Sequence, residues 1–276
     1  MEPHEFVDLH RPALERDEVR HGILLTILSR IAAGDPPQPR WWPLGAPGEC
    51  AAQAPNYPIV LGDVTRAQVR AFAEETRELD YPAIVGPGET ACWFADHAAT
   101  LGVTFAEPIP QQIHVLSNKP RYPGASGQAR AVTAGDAALC ADWMIAFQRE
   151  AVPHDPVPPR ERLEQAAASG DYSFWVVDGE PVSLAGIVRR TRSTAAIAGV
   201  YTPPALRGRG YAGSVTAAVA ERAFEEGKTA ACLYTDLRNP FSNRCYVKIG
   251  FAPVCESWCI PRRRGAPPRR GTVSAL

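Results

Sequence analysis

The chain has 276 residues, 45% of them apolar and 21% charged, with a formal net charge of -1. That composition supplies one or two packed cores, excludes wholesale disorder, and gives no ground for nucleic acid or a membrane as partner. The seven cysteines stand without a CxxC pair, which argues against both a disulfide framework and a zinc site, so free thiols and no metal are expected.

Apolar spacing predicts a first helix over residues 11–33, stopped by the proline cluster at 36–39. Residues 40–46 and 51–61 read as strand material, and 64–79 as a helix with Thr65 in the capping position. A strand at 81–86 and a helix at 91–102 follow. Residues 118–127 lack periodicity and are rich in Pro, Gly and Ser, so they are expected to link a domain at 1–120 to a second at 128–262.

Beyond the linker come a short strand at 131–133 and a helix running from an Asp136 cap to about Glu150. The proline-rich stretch 153–159 is read as a loop near a substrate entrance, followed by a helix at 160–169. Strands at 172–177 and 181–190 flank a tight Asp178-Gly179 turn, and a third strand spans 195–201. After a glycine-rich loop the pattern gives a helix over 210–226, a strand over 230–235, and a helix over 240–249 closed by Gly250. A last strand runs through 258–260. The arginines at 262–264, 269 and 270 stand among Pro and Gly and are assigned to a solvated basic tail, 263–276.

The resulting order is β-α-α-β-β-β-α-β-α-β, an α/β (mixed α+β) fold with helices on the faces of a mixed sheet. The N-terminal half repeats this order weakly. Its corresponding loop, residues 61–66, holds one glycine and Asp63, which would repel a pyrophosphate. One ligand loop per chain is therefore expected. The opening residues carry no basic n-region, so a cytoplasmic location is expected.

The chemistry concentrates in Arg207-Gly208-Arg209-Gly210-Tyr211-Ala212-Gly213, between a strand and a helix. Glycines permit close backbone approach, the helix start offers unpaired N–H groups, and arginines suit phosphate. The same letters spell Gly-x-Gly-x-x-Gly, the dinucleotide fingerprint. Against that reading, the preceding strand is the third of an antiparallel series, and Asp236 lies 28 residues beyond Gly208 rather than about 20.

Arg207-x-x-Gly210-x-Ala212, followed by Asn239-x-x-Ser242-x-x-x-Tyr246-x-x-x-Gly250-Phe251, resembles the GNAT superfamily of N-acetyltransferases. Ser242 departs from that family's alanine. The resemblance covers about residues 130–260 and implies a GNAT-like, mostly antiparallel central sheet, with a second, degenerate GNAT-like half ahead of it. It further implies acetyl-CoA as donor and an amine as acceptor, of a kind the sequence does not select. The pantetheine arm would pair with Val200, Tyr201 and Thr202 on a strand splayed from its neighbour. Asn239 and Asn243 would flank that arm, and Tyr246 would act as general acid. The base is open: the strand at 195–201 has no carboxylate, leaving Glu150, His154 or water. A non-catalytic acyl-CoA-binding regulatory module is the rival from another class. Nothing in the sequence fixes an oligomeric state.

Overall fold

The computed structural model of the protein describes residues 1–153 and 155–263. The first helical stretch is two helices, α1 (Pro3–Leu14) and α2 (Glu18–Ala33), divided by a 3-10 turn at Glu15–Asp17. Asp17 leaves helical geometry and accepts a hydrogen bond from Arg20 N, so α2 starts afresh on its own cap.

The N-terminal half continues with β1 (Arg40–Pro43), β2 (Cys50–Gln53), β3 (Ile59–Leu61), α3 (Arg66–Thr76), β4 (Ala83–Gly86), α4 (Gly88–Thr100) and β5 (Ile109–Leu116). The C-terminal half runs β6 (Gln128–Ala131), α5 (Ala137–Ala151), α6 (Arg160–Ala167), β7 (Tyr172–Val177), β8 (Glu180–Arg190) and β9 (Thr194–Tyr201). It ends with α7 (Tyr211–Glu225), β10 (Ala230–Asp236), α8 (Pro240–Ile249) and β11 (Ala252–Pro261). Asp178 and Gly179 both take positive φ, 50° and 87°, as the two-residue β7–β8 hairpin requires. Asp136 does not cap α5; its carboxylate instead binds Arg130 and the Thr133 backbone N–H.

All strands join one 11-stranded sheet in the order β1-β2-β3-β4-β11-β5-β10-β9-β8-β7-β6. Among the described residues only β3–β4 and β9–β10 pair parallel, so the sheet is mixed and mostly antiparallel, as expected. The succession β-β-β-α-β-α-β recurs in both halves. Each half gives its last strand to the other: β5 pairs with β10, β11 pairs with β4, and the two exchanged strands pair with each other. The sheet thus runs unbroken past the boundary expected near residue 120. Residues 118–127 are irregular, as read, but they form a docked strap. Arg121 N donates to Ile249 O at 2.8 Å, Tyr122 Oη to Glu221 Oε2 at 2.6 Å, and Trp175 Nε1 to Ser126 O at 2.7 Å.

On one face of the C-terminal half, α7 and α8 bury Ile187, Ile197, Val215, Leu233 and Ile249. The other face carries α5, over Phe174 and Leu184, and α2, which reaches β8, β9 and β5. Arg262, the last residue before the expected tail, is docked: its guanidinium lies 4.5 Å over the Tyr81 ring and donates to Leu79 O. Arg263 N likewise bonds Thr104 O at 2.8 Å. The remaining arginines of that expected tail, and His154, lie outside the described residues. Among the described residues no helix is long and apolar enough to cross a membrane.

Candidate active site at the splay of two parallel strands

The parallel strands β9 and β10 pair only over Thr194–Ala196 and 230–232. β10 stays bonded to β5 as far as Asp236, so beyond Cys232 only its β9 side lies open. β9 also carries a bulge. Ala198 faces Gly186 and Tyr201 faces Leu184, which leaves one extra residue on β9, with Gly199 at φ 66°. Such an insertion withdraws a peptide unit from the ladder next to Val200. Ser183 fixes the strand end, its Oγ 2.9 Å from Tyr201 O and 2.8 Å from Thr202 Oγ1, and Pro203-Pro204 then ends regular pairing.

The loop that follows turns on two left-handed glycines, Gly208 at φ 81° and Gly210 at φ 83°. A Cβ on Gly208 would meet nothing within 4 Å, so its glycine serves the backbone angle rather than crowding. Gly210 starts α7 without any side-chain cap, and the first helical bond is Ser214 N to Gly210 O at 3.0 Å. The N–H groups of Tyr211, Ala212 and Gly213 precede that bond and are the orphan donors of the helix start. Arg207 is already tethered, donating from Nε to Thr202 O at 2.9 Å and from Nη2 to Glu150 Oε2 at 2.7 Å. Arg209 is exposed and has no ionic or hydrogen-bond partner among the described residues.

Several residues singled out in the sequence have other tasks. The Tyr211 side chain belongs to the core, so it contributes only its backbone to the loop. Gly213 is buried where a Cβ would come within 2.7 Å of Pro123 on the strap and 3.3 Å of Cys245 on α8. It is a packing glycine. Asn239 caps α8, its Oδ1 accepting from Phe241 N and Ser242 N at 3.2 Å each. Asn243 donates to Asp236 O and Leu237 O, while its buried Oδ1 has no partner. Glu150 spends its carboxylate on Arg207, which leaves it poorly placed to act as base.

Tyr246 is 9% exposed, with its ring edge-on to Phe251 at 6.1 Å. Its hydroxyl makes no hydrogen bond among the described residues, and burial raises its pKa above the ordinary 10.0, so it stays protonated at neutral pH. The loop after α5 reaches β11, where burial and then Asp155 push the Cys259 thiol up to about 12. No group of three His, Cys, Asp or Glu among the described residues is arranged to hold a metal ion. In the other half, a cleft of about 600 Å³ is lined by Arg20, Asp63, Thr65, Arg66, Glu89 and Trp93, among others.

Residues 138–251 match the acetyltransferase (GNAT) family, and the C-terminal half is a domain of that family. A Drosophila protein of known structure is 14% identical, with a TM-score of 0.68 over 95% of this chain and 96% of its own. A GCN5-related N-acetyltransferase from Kribbella flavida is 19% identical, with a TM-score of 0.59 over 87% and 96%. A tandem GNAT protein from the clavulanic acid biosynthesis pathway is 14% identical, with a TM-score of 0.50 over 91% and 96%. At these identities the likeness is one of fold. No curated protein matches the sequence.

Proposed function

We propose that the protein is an acyl-CoA-dependent N-acyltransferase that moves an acetyl group from acetyl-CoA to an amine, with one active site, in the C-terminal half. The observation that carries this reading is the break in the β9–β10 ladder after Ala196 and Cys232, which leaves residues 200–202 without a β10 neighbour. Val200 keeps both its backbone groups and Thr202 its N–H, since Tyr201 O and Thr202 O already accept from Ser183 Oγ and Arg207 Nε. An extended pantetheine arm carries amide groups of its own and can pair there as an added strand would. The uncapped start of α7, with Gly208, Gly210, Arg207 and Arg209 around it, suits the pyrophosphate. The N-terminal half is then a degenerate GNAT-like partner.

In this reading the amine nitrogen attacks the thioester carbonyl carbon. The C–N bond forms, the C–S bond breaks, and the amine loses one proton to water. The backbone N–H near Val200 stabilises the carbonyl oxygen as it gains charge. The Tyr246 hydroxyl, kept protonated by burial, donates its proton to the departing thiolate. Asn243 adds an unpartnered Oδ1 beside the same helix, available to an amide N–H of the arm. The test is release of free thiol from acetyl-CoA across a panel of amines, with Tyr246→Phe as control. Amine-dependent release that falls in the variant supports the proposal. Binding of acetyl-CoA without release for any amine would instead make the protein a binding module.

A further inference from the structure

On the sheet face opposite α7 and α8, Arg189 stands without a counter-charge among the described residues. β8 carries a bulge at Val188: Ile187 faces Ile197, and the next pair is Arg189 with Ala196. The extra residue breaks the alternation, so Arg189 does not follow Ile187 into the α7 core. Its neighbour Arg190 takes that side, donating to Glu226 just past α7 at 2.8 Å and pairing with Asp171 at 2.7 Å. Arg189 projects to the face of α2 and α5, where Ala196 and Ala198 leave low ground across β9. Its guanidinium carbon lies 5.4 Å over the ring of Tyr234 on β10. Tyr234 stands two residues past Cys232, the last β10 residue paired with β9, and is therefore inside the splay.

The Arg189 side chain makes no hydrogen bond and no ion pair among the described residues, and its Nε is buried without a partner. The Tyr234 hydroxyl has no hydrogen-bond partner there either. The nearby acids are committed elsewhere. Asp17 caps α2 through Arg20 N, and Glu18 Oε2 accepts from Thr191 Oγ1, Ser193 N and Ser193 Oγ at 2.7–2.8 Å. A partly buried guanidinium left with no acceptor is costly, and its planar fork matches the oxygens of carboxylate or phosphate.

We propose that Arg189, with the Tyr234 hydroxyl beside it, binds an anionic oxygen group on the acceptor, so that the substrates are amines bearing a carboxylate or a phosphate. This rests on the acyltransferase reading above: donor and acceptor then enter from opposite faces of the sheet and meet in the splay.

The experiment compares matched acceptors, amino acids against their carboxamides and phosphoethanolamine against ethanolamine. Binding to the protein loaded with CoA is read by calorimetry and turnover by thiol release. In the wild type the anionic member of one pair should be favoured roughly 10- to 100-fold in Kd or KM. The preferred pair tells carboxylate from phosphate. Arg189→Gln should collapse that ratio toward one, Arg189→Lys should keep part of it, and Tyr234→Phe should reduce it several-fold, with thermal unfolding verifying each fold. A wild-type ratio near one in both pairs, or a ratio that survives Arg189→Gln, overturns the proposal. Absence of thiol release with every amine would instead sink the acyltransferase reading, while the binding ratios still decide the anion site.

Discussion

The two halves make the same junction, strand to central helix, by opposite means. At β3–α3, Thr65 and Gln68 form a reciprocal capping box, with Thr65 N donating to Gln68 Oε1 at 2.7 Å. Gly62 is wedged so closely that a Cβ would lie 2.6 Å from Gly48 O. Hydrogen bonds from His21 and then Arg20 lower the pKa of Asp63 from its ordinary value. At β9–α7 there is no cap, Gly208 has open space around it, and two arginines replace the acid. An absent cap costs about 1 kcal/mol of helix stability. The N-terminal junction keeps that stability by satisfying its own amides. The C-terminal one leaves them unsatisfied, as the proposed pyrophosphate site requires.

The largest expected effect separates chemistry from binding: Tyr246→Phe should lower kcat by about 10²- to 10⁴-fold, with acetyl-CoA still raising the unfolding temperature. Unchanged turnover would remove Tyr246 from the mechanism. Next, Arg207→Ala should raise the KM for acetyl-CoA about 10- to 100-fold, the range for a charge-assisted hydrogen bond. Steady-state kinetics read this, and an unaltered KM would mean that Arg207 serves only Glu150 and Thr202.

The two junctions can then be set against each other directly. Gly208→Ala puts a side chain at φ 81°, costing about 1–2 kcal/mol, and should weaken donor binding as well as lower Tm. Thr65→Ala should cost about 1 kcal/mol, or about 2–4 °C in Tm, with the acetyl-CoA KM unmoved. A shift in that KM would mean that the N-terminal junction takes part in donor binding. The smallest effect concerns pH. Because the folded pKa of Tyr246 is raised, its contribution to stability is complete below its ordinary 10.0 and is lost as pH rises through the folded value. Rates should therefore show no alkaline loss from Tyr246 below pH 10; a loss in wild type that vanished in Tyr246→Phe would contradict this.

The C-terminal half was largely legible. β7 and α8 fall on the expected residues, because hairpin glycines, a proline at the first helical position and a closing glycine are local signals. β5 was not read at all. Pro110 and Gln111 interrupt its alternation and leave only residues 112–115 alternating, too short a signal, and the strand exists through pairing on both sides with β10 and β11. The expected helix at 11–33 merges the end of α1 with α2 and misses residues 3–10, because the charged run Glu15–Asp17 carries no stop signal and the break comes from the Asp17 cap. In the site, the loop and its helix were recovered from sequence, but not the division of labour within it. Gly213 is fixed by the strap and Asn239 by a local cap, and neither use differs in sequence from ligand binding. Arg189 was invisible because strand alternation cannot be read through a bulge.

The exchange of last strands also bears on how the chain is made. β11, at residues 252–261, fills the slot between β4 and β5. On a ribosome, everything through α8 emerges while the centre of the sheet still has a gap one strand wide. The nascent chain then holds two unpaired edges, one on β4 and one on β5, that could recruit a strand from a neighbouring copy. The halves therefore cannot be completed one after the other as separate domains can, and a product truncated before residue 252 exposes the interior of the sheet rather than losing a peripheral strand.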